Sequence, residues 1–191
     1  MARPTREEAW SLVCEWISSD SLRKHVLGVE APMRAYARRR GEDEELWAIT
    51  GLVHDLDYER FPDPETGHPR MALEELRRRD YPEEVLDAVA GHAEYLNVPR
   101  KTPLARTLFA VDELSGFIAA CALVRPTGIE GMTPKSVRKK LKQPSFAAKV
   151  DRDQIRRGIE ELAVDEGEHI QLMIDAMAER ADELGLAPAA R

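Results

Sequence analysis

The chain holds five histidines, and one of them, His54, stands directly beside Asp55 in the stretch GLVHDLDYERFPDPETGH, Gly51 to His68. A histidine on an apolar helix face is most often a core side chain satisfied by its protein neighbours. The adjacent aspartate argues for something more, since a buried carboxylate without a partner is costly and a metal cation is a natural partner. Neighbouring helical residues point about 100° apart, yet a long imidazole and a shorter carboxylate can still converge on an ion beside the axis. Further ligands must then come from other segments. His25, His68, His92 and Asp112 are the candidates. Each sits on or at the edge of a separate expected helix, and a bundle can turn all of them toward one centre. Asp112 lies inside the apolar run TLFAVDELSGF, with Leu108, Val111 and Ser115 around it; the alternative is a surface aspartate beside Glu113.

The elements that must position these side chains read as helices. Thr5 and Glu8 have capping-box spacing ahead of an apolar stripe through Trp10, Leu12, Val13, Trp16 and Ile17. A second helix is expected from Ser21 to Arg40, interrupted around Gly28 and Pro32 and closed by Gly41, and a third from Asp43 to about Leu56. After a loop from Asp57 to Gly67, Pro69, Pro82 and Pro103 each stand where a first helical turn begins, a position at which the missing N–H costs nothing. The helices expected there are Pro69 to Arg79, Pro82 to Tyr95 and Pro103 to Leu123, followed by Pro134 to Leu141, Asp151 to Leu162 and Asp165 to Leu184. No segment alternates with period two, so the fold class expected is all-α.

Composition bounds the functions open to such a chain. At 191 residues it suits one domain, spanning 1–191. Its 28 Lys+Arg against 35 Asp+Glu leave a formal net charge of −7, which offers no general attraction to a nucleic acid polymer or an anionic membrane. Cys14 and Cys121 cannot build a disulfide framework and read as buried thiols in a reducing compartment. The N-terminal residues carry no apolar leader, and nowhere are there the roughly 18 consecutive apolar residues of a membrane span. A cytoplasmic protein is expected, with oligomeric state left open.

In order and context, His25 in HVLGVEAPMRAYARR, His54-Asp55 in LVHDLDYE and Asp112 in AVDELSGF resemble the H…HD…D signature of the HD superfamily of metal-dependent phosphohydrolases. The resemblance covers about Ser21 to Leu123, with a C-terminal helical extension of about 134–185 beyond any motif. It implies a compact helical bundle, a first metal held by His25, His54, Asp55 and Asp112, and a second held by Asp55, His68 and His92. With one metal only, His68 and His92 would contact substrate phosphate or donate a proton. The chain departs from the HD-GYP type, having GHAEY with a single histidine and no GYP segment, which argues against cyclic dinucleotides.

Imidazole and carboxylate donors suit Mn²⁺, Fe²⁺, Co²⁺, Ni²⁺ or Zn²⁺ and leave Mg²⁺ open. Such a cation lowers the pKa of bound water from about 15.7 toward 7, so the expected reaction is hydrolysis of a phosphate ester of a small metabolite or nucleotide by metal-bound hydroxide. Asp57 and Glu94 are candidates for orienting water or protonating the leaving group. Arg34 and Arg70 are candidates for the substrate phosphate, with Arg106 and Arg38 also in reach by spacing. Arg38 to Arg40 read better as an outer face, and KSVRKKLK, Lys135 to Lys142, reads better as an exposed helix than as a phosphate clamp. His169, in a charged stretch, is expected at the surface. The competing reading is a non-catalytic HD module in which metal or nucleotide stabilises a signalling scaffold.

Overall fold

A computed structural model describes residues 4–188. Ten α-helices run in the order α1 (Arg6–Trp16), α2 (Asp20–Arg40), α3 (Glu44–Val53), α4 (Arg70–Arg78), α5 (Glu83–His92), α6 (Pro103–Leu123), α7 (Pro134–Leu141), α8 (Arg152–Leu162), α9 (Glu166–Ala178) and α10 (Ala181–Leu184), with a 3₁₀ turn at Glu94–Leu96. There is no strand among the described residues, so the all-α reading holds. α6 is the central element, packed by α2, α5 and α8, while α3 lies along α2 and α1 along α3. Leu108, Leu114 and Phe117 of α6 are fully buried in one core cluster with Met33, Ile49 and Leu52 from α2 and α3.

Local chemistry sets most helix ends. Thr5 and Thr133 complete capping boxes, Thr102 caps α6 with Pro103 in its first turn, and Gly41 closes α2 in the left-handed conformation at φ 71°. α6 and α7 have the bounds that their prolines imply.

α2, the C-terminal helix and the side chain of His169 differ from expectation. α2 is unbroken across Pro32. That proline has no N–H for the Gly28 carbonyl; the Ser115 hydroxyl of α6 lies 3.2 Å from the same oxygen and shares its one proton with the nearer Val111 carbonyl at 2.7 Å. The expected C-terminal helix is two, because Arg180 leaves the helical region at φ −120°, ψ 25° between α9 and α10. His169 is fully buried, not at the surface. The Tyr36 hydroxyl donates to its Nδ1 at 2.5 Å and its Nε2–H donates to the Ala110 carbonyl at 3.2 Å, so a polar sequence neighbourhood conceals a satisfied core side chain.

Glu30 is a buried charge. It has no exposed surface, and its carboxylate accepts from Arg6 Nε at 2.7 Å, Arg34 Nε at 3.1 Å and Arg180 Nη1 at 2.7 Å. Burial alone would raise its pKa, but the hydrogen bonds from Arg6 and Arg180 prevail and lower it. One carboxylate thus ties α1, α2 and the α9–α10 junction together. α3 crosses α2 closely beside it, since a Cβ on Gly51 would stand 3.0 Å from Glu30 Cα.

Removing one member of a buried ion cluster strands the others. Glu30→Ala is expected to cost about 3 to 5 kcal/mol in urea unfolding, and Arg34→Ala clearly less, because Glu30 keeps two partners. Burial also depresses His169 from 6.5 to about 4, against weaker opposition from the Ala110 carbonyl and Glu166. The unfolded chain therefore binds more protons here, and the stability His169 contributes is present above pH 6.5 and lost as pH falls through about 4. Urea midpoints from pH 7 to 4 should accordingly fall less in His169→Gln than in the parent.

Candidate metal centre

Asp55 lies at the centre of the histidines. Its Oδ2 faces His54 Nε2 at 3.5 Å and His25 Nε2 at 3.6 Å, while its Oδ1 faces His68 Nε2 and His92 Nε2, both at 3.5 Å. Asp112 Oδ1 closes the first side, 3.1 Å from His25 Nε2 and 3.4 Å from His54 Nε2. Two sets of donor atoms result, His25–His54–Asp55 and Asp55–His68–His92, each with its atoms within 4.8 Å of one another. α2 supplies His25, α6 supplies Asp112 and the last residue of α5 supplies His92. His54 and Asp55 come one and two residues after the end of α3 at Val53, in the turn that leaves it, not inside a helix reaching Leu56.

Hydrogen bonds behind the rings fix what the rings present. His54 Nδ1–H donates to the Gly51 carbonyl at 2.8 Å, His92 Nδ1–H to the Val89 carbonyl, and His68 Nδ1–H to Asp57 Oδ1 at 2.7 Å. Each neutral ring then carries its lone pair on Nε2. These lone pairs point at carboxylate oxygens and, for His68 and His92, at each other across 3.2 Å. His54 Nε2 is buried with no hydrogen-bond partner. Acceptors facing acceptors in a low-dielectric pocket repel unless a proton or a metal ion lies between them.

The electrostatics of the protein groups agree. Burial disfavours a charged His54, yet the Asp55 and Asp112 carboxylates outweigh it and lift the imidazole to about 9. Burial would likewise raise both carboxyls, but His54 together with His92 holds Asp55, and His54 together with His25 holds Asp112, well below the usual carboxylate range. The donor set fits a divalent cation: oxygens already ionised, imidazoles oriented by partners behind them, and one nitrogen left unsatisfied.

The HD domain family matches residues 22–116. The chain carries an HD domain. No curated protein and no solved structure matches it. The HD domain spans α2 to α6 and so contains every residue of the cluster. HD domains are typically metal-dependent phosphohydrolases, and this one has a His/Asp cluster able to hold metal.

The HD cluster opens into a pocket of about 720 Å³. Glu94 lines it, as expected of a candidate, but is engaged by Arg157 and Arg100. Asp57 is misplaced for proton transfer to a substrate. It is fully buried behind His68, and its second oxygen accepts from the Ala72 backbone N–H at 2.8 Å, so its work is to hold the His68 ring. The two phosphate candidates also need correction. Arg34 is committed to Glu30, Glu44 and Glu45, and Arg70 donates to the carbonyl of Pro64; neither arginine lines the pocket. Arg106 binds the Arg100 carbonyl, Arg38 and Arg39 pair with Glu44 and Glu168, and no residue of the basic helix α7 reaches the pocket. Among the described residues, no lysine or arginine lines this pocket.

Several wall residues were not anticipated. Tyr58 sets its ring edge-on to His68 at 5.1 Å, and Tyr95 donates to the His68 carbonyl at 2.8 Å. Glu113, next to Asp112, accepts from the Asp151 backbone N–H at 3.2 Å, and burial followed by the Asp112 charge raises it to about 7. Asp151 and Gln154 complete the wall from the start of α8, far from any motif. A carboxylate behind a metal-binding histidine typically contributes tenfold to a hundredfold in affinity. Asp57→Ala should therefore weaken metal binding by about that factor in a competition titration, with the helical circular dichroism retained.

Proposed function

We propose that the protein is a metal-dependent phosphohydrolase acting on the phosphate ester of a small molecule. In this reading His25, His54, Asp55 and Asp112 hold one divalent ion, and Asp55, His68 and His92 hold a second. The observation that carries it is the two-sided Asp55: each carboxylate oxygen faces two imidazole nitrogens at 3.5 to 3.6 Å. A bound divalent ion would supply a Lewis acid for the phosphoryl oxygens and a water acidic enough to ionise near neutral pH.

The chain's own residues do the rest. Gly51, Val89 and Asp57 keep the rings in the tautomer that offers Nε2. Tyr58 and Gln154 are neutral side chains on the wall able to donate hydrogen bonds to a substrate. Since Glu94 is engaged by two arginines, Glu113 is the better placed carboxyl for handing a proton to the leaving oxygen. The absence of basic side chains from the wall, among the described residues, favours a substrate with one phosphate over a polyphosphate.

Metal analysis and a phosphatase and phosphodiesterase panel with added Mn²⁺, Co²⁺, Ni²⁺, Zn²⁺ or Mg²⁺ test the reading. The parent should bind two ions and turn over at least one ester. Asp55→Ala should lose both ions and all turnover, whereas His68→Ala should keep one ion. Bound metal with no turnover on any ester would replace the enzyme by a metal-stabilised scaffold.

A further inference from the structure

A second hollow lies beside the one at the metal centre. His25 and Gly116 line the pocket described above and also a second cavity of about 350 Å³ between α2 and α6. That volume lies in the range of about 300 to 1,000 Å³ typical of small-molecule sites. On α6, residues 112, 116, 119 and 123 follow one another at helical spacing, so the face that carries Asp112 runs on through Gly116 and Ala119 to Leu123. Met177 of α9, Leu184 of α10 and Leu186 beyond it also line the cavity.

The second cavity has a different character from the first. Of its uncharged polar groups, the Ser115 hydroxyl is turned to the carbonyls of Val111 and Gly28, Ser21 is exposed and pairs with Ser19, and His25 belongs to the cluster. Its charged residues Asp20 and Lys24 pair with each other at 2.7 Å, with side chains 81% and 41% exposed, which puts them at the outer rim. A Cβ placed on Gly116 would meet nothing within 4 Å. The residue shared by the two hollows therefore leaves the space beside it open, and a larger side chain there would stand in it.

We infer that this cavity receives the organic part of the substrate, and that the substrate is the phosphate ester of an apolar alcohol. The phosphoryl group sits against the His/Asp cluster and the hydrocarbon passes Gly116 to lie between α2 and α6. This rests on the phosphohydrolase reading and narrows it to a substrate class. Two independent features point the same way. The wall near the cluster has no lysine or arginine among the described residues to receive a second phosphate, and the adjoining cavity is lined by Ala119, Met177, Leu184 and Leu186, with the exposed Leu123 at its rim.

Isothermal titration of the metal-loaded protein with methyl-, butyl- and octylphosphonate tests the assignment without requiring turnover. Full burial of a methylene is worth about a fourfold gain in affinity, so octylphosphonate should bind at least tenfold more tightly than butylphosphonate, and butylphosphonate more tightly than methylphosphonate. Gly116→Leu, which introduces no backbone clash, and Ala119→Trp should each reduce the octyl-to-methyl ratio at least tenfold. Equal affinity along the series in the parent protein, or a length dependence that survives both variants, overturns the assignment. The parent series decides the matter even if a variant fails to fold. A protein that prefers octylphosphonate but hydrolyses no ester retains the cavity assignment and loses the phosphohydrolase reading; hydrolysis with no length dependence does the reverse.

Discussion

The structure is organised around a repulsion that a proton or a metal ion must relieve. Three imidazoles give their Nδ1 protons to acceptors behind them and turn lone pairs toward the buried Asp55 carboxylate, and Asp112 adds further negative charge. In water such groups would reorient or protonate freely. Here the Gly51 and Val89 carbonyls and the Asp57 carboxylate fix the rings, while packing fixes the helices that carry them. A core that accepts this arrangement has bound up stability in orientation, which is the usual condition of a metal site before its ion arrives.

The rest of the fold is understandable as what keeps those groups in place. Cluster residues arrive from α2, the turn after α3, the loop before α4, the end of α5 and the middle of α6, so small helix shifts would separate them. α2 and α3 are held by the Gly51 approach to Glu30, and α6 and α8 by a comparable one, where a Cβ on Gly158 would stand 2.7 Å from Ala110 Cα. The Glu30 carboxylate fastens α1 and the C-terminal helices to α2 through Arg6 and Arg180. The C-terminal helices lie outside the family match, yet α8 supplies Gln154 to the pocket and α9 supplies Met177 to the adjoining cavity.

The sequence made the helices and the cluster legible for physical reasons. Proline at a first turn, threonine at a cap and glycine after a last turn act locally, so α6 and α7 could be bounded without knowing their neighbours. His54-Asp55 and Asp112 stood out because charge in an apolar run demands a partner. Features that depend on tertiary partners did not show. α2 runs on across Pro32 with the Ser115 hydroxyl of another helix near the Gly28 carbonyl, and Arg34 is drawn to Glu30, whose other arginine partners come from distant parts of the chain. His169 looks exposed among acidic neighbours until Tyr36 and Ala110 meet its ring. Asp57 was noticed for its nearness to Asp55, but only packing shows that it faces away from the pocket and supports His68. Asp151 and Gln154 carry no local signal at all.

Anomalous diffraction from crystals grown with Mn²⁺ or Zn²⁺ addresses the account at its centre. It predicts one strong peak bonded to His54 Nε2, His25 Nε2, Asp112 and one oxygen of Asp55, and a second bonded to the other oxygen of Asp55, His68 Nε2 and His92 Nε2. A map with no peak between these side chains, with His54 Nε2 hydrogen-bonded to water or a protein group instead, would contradict it.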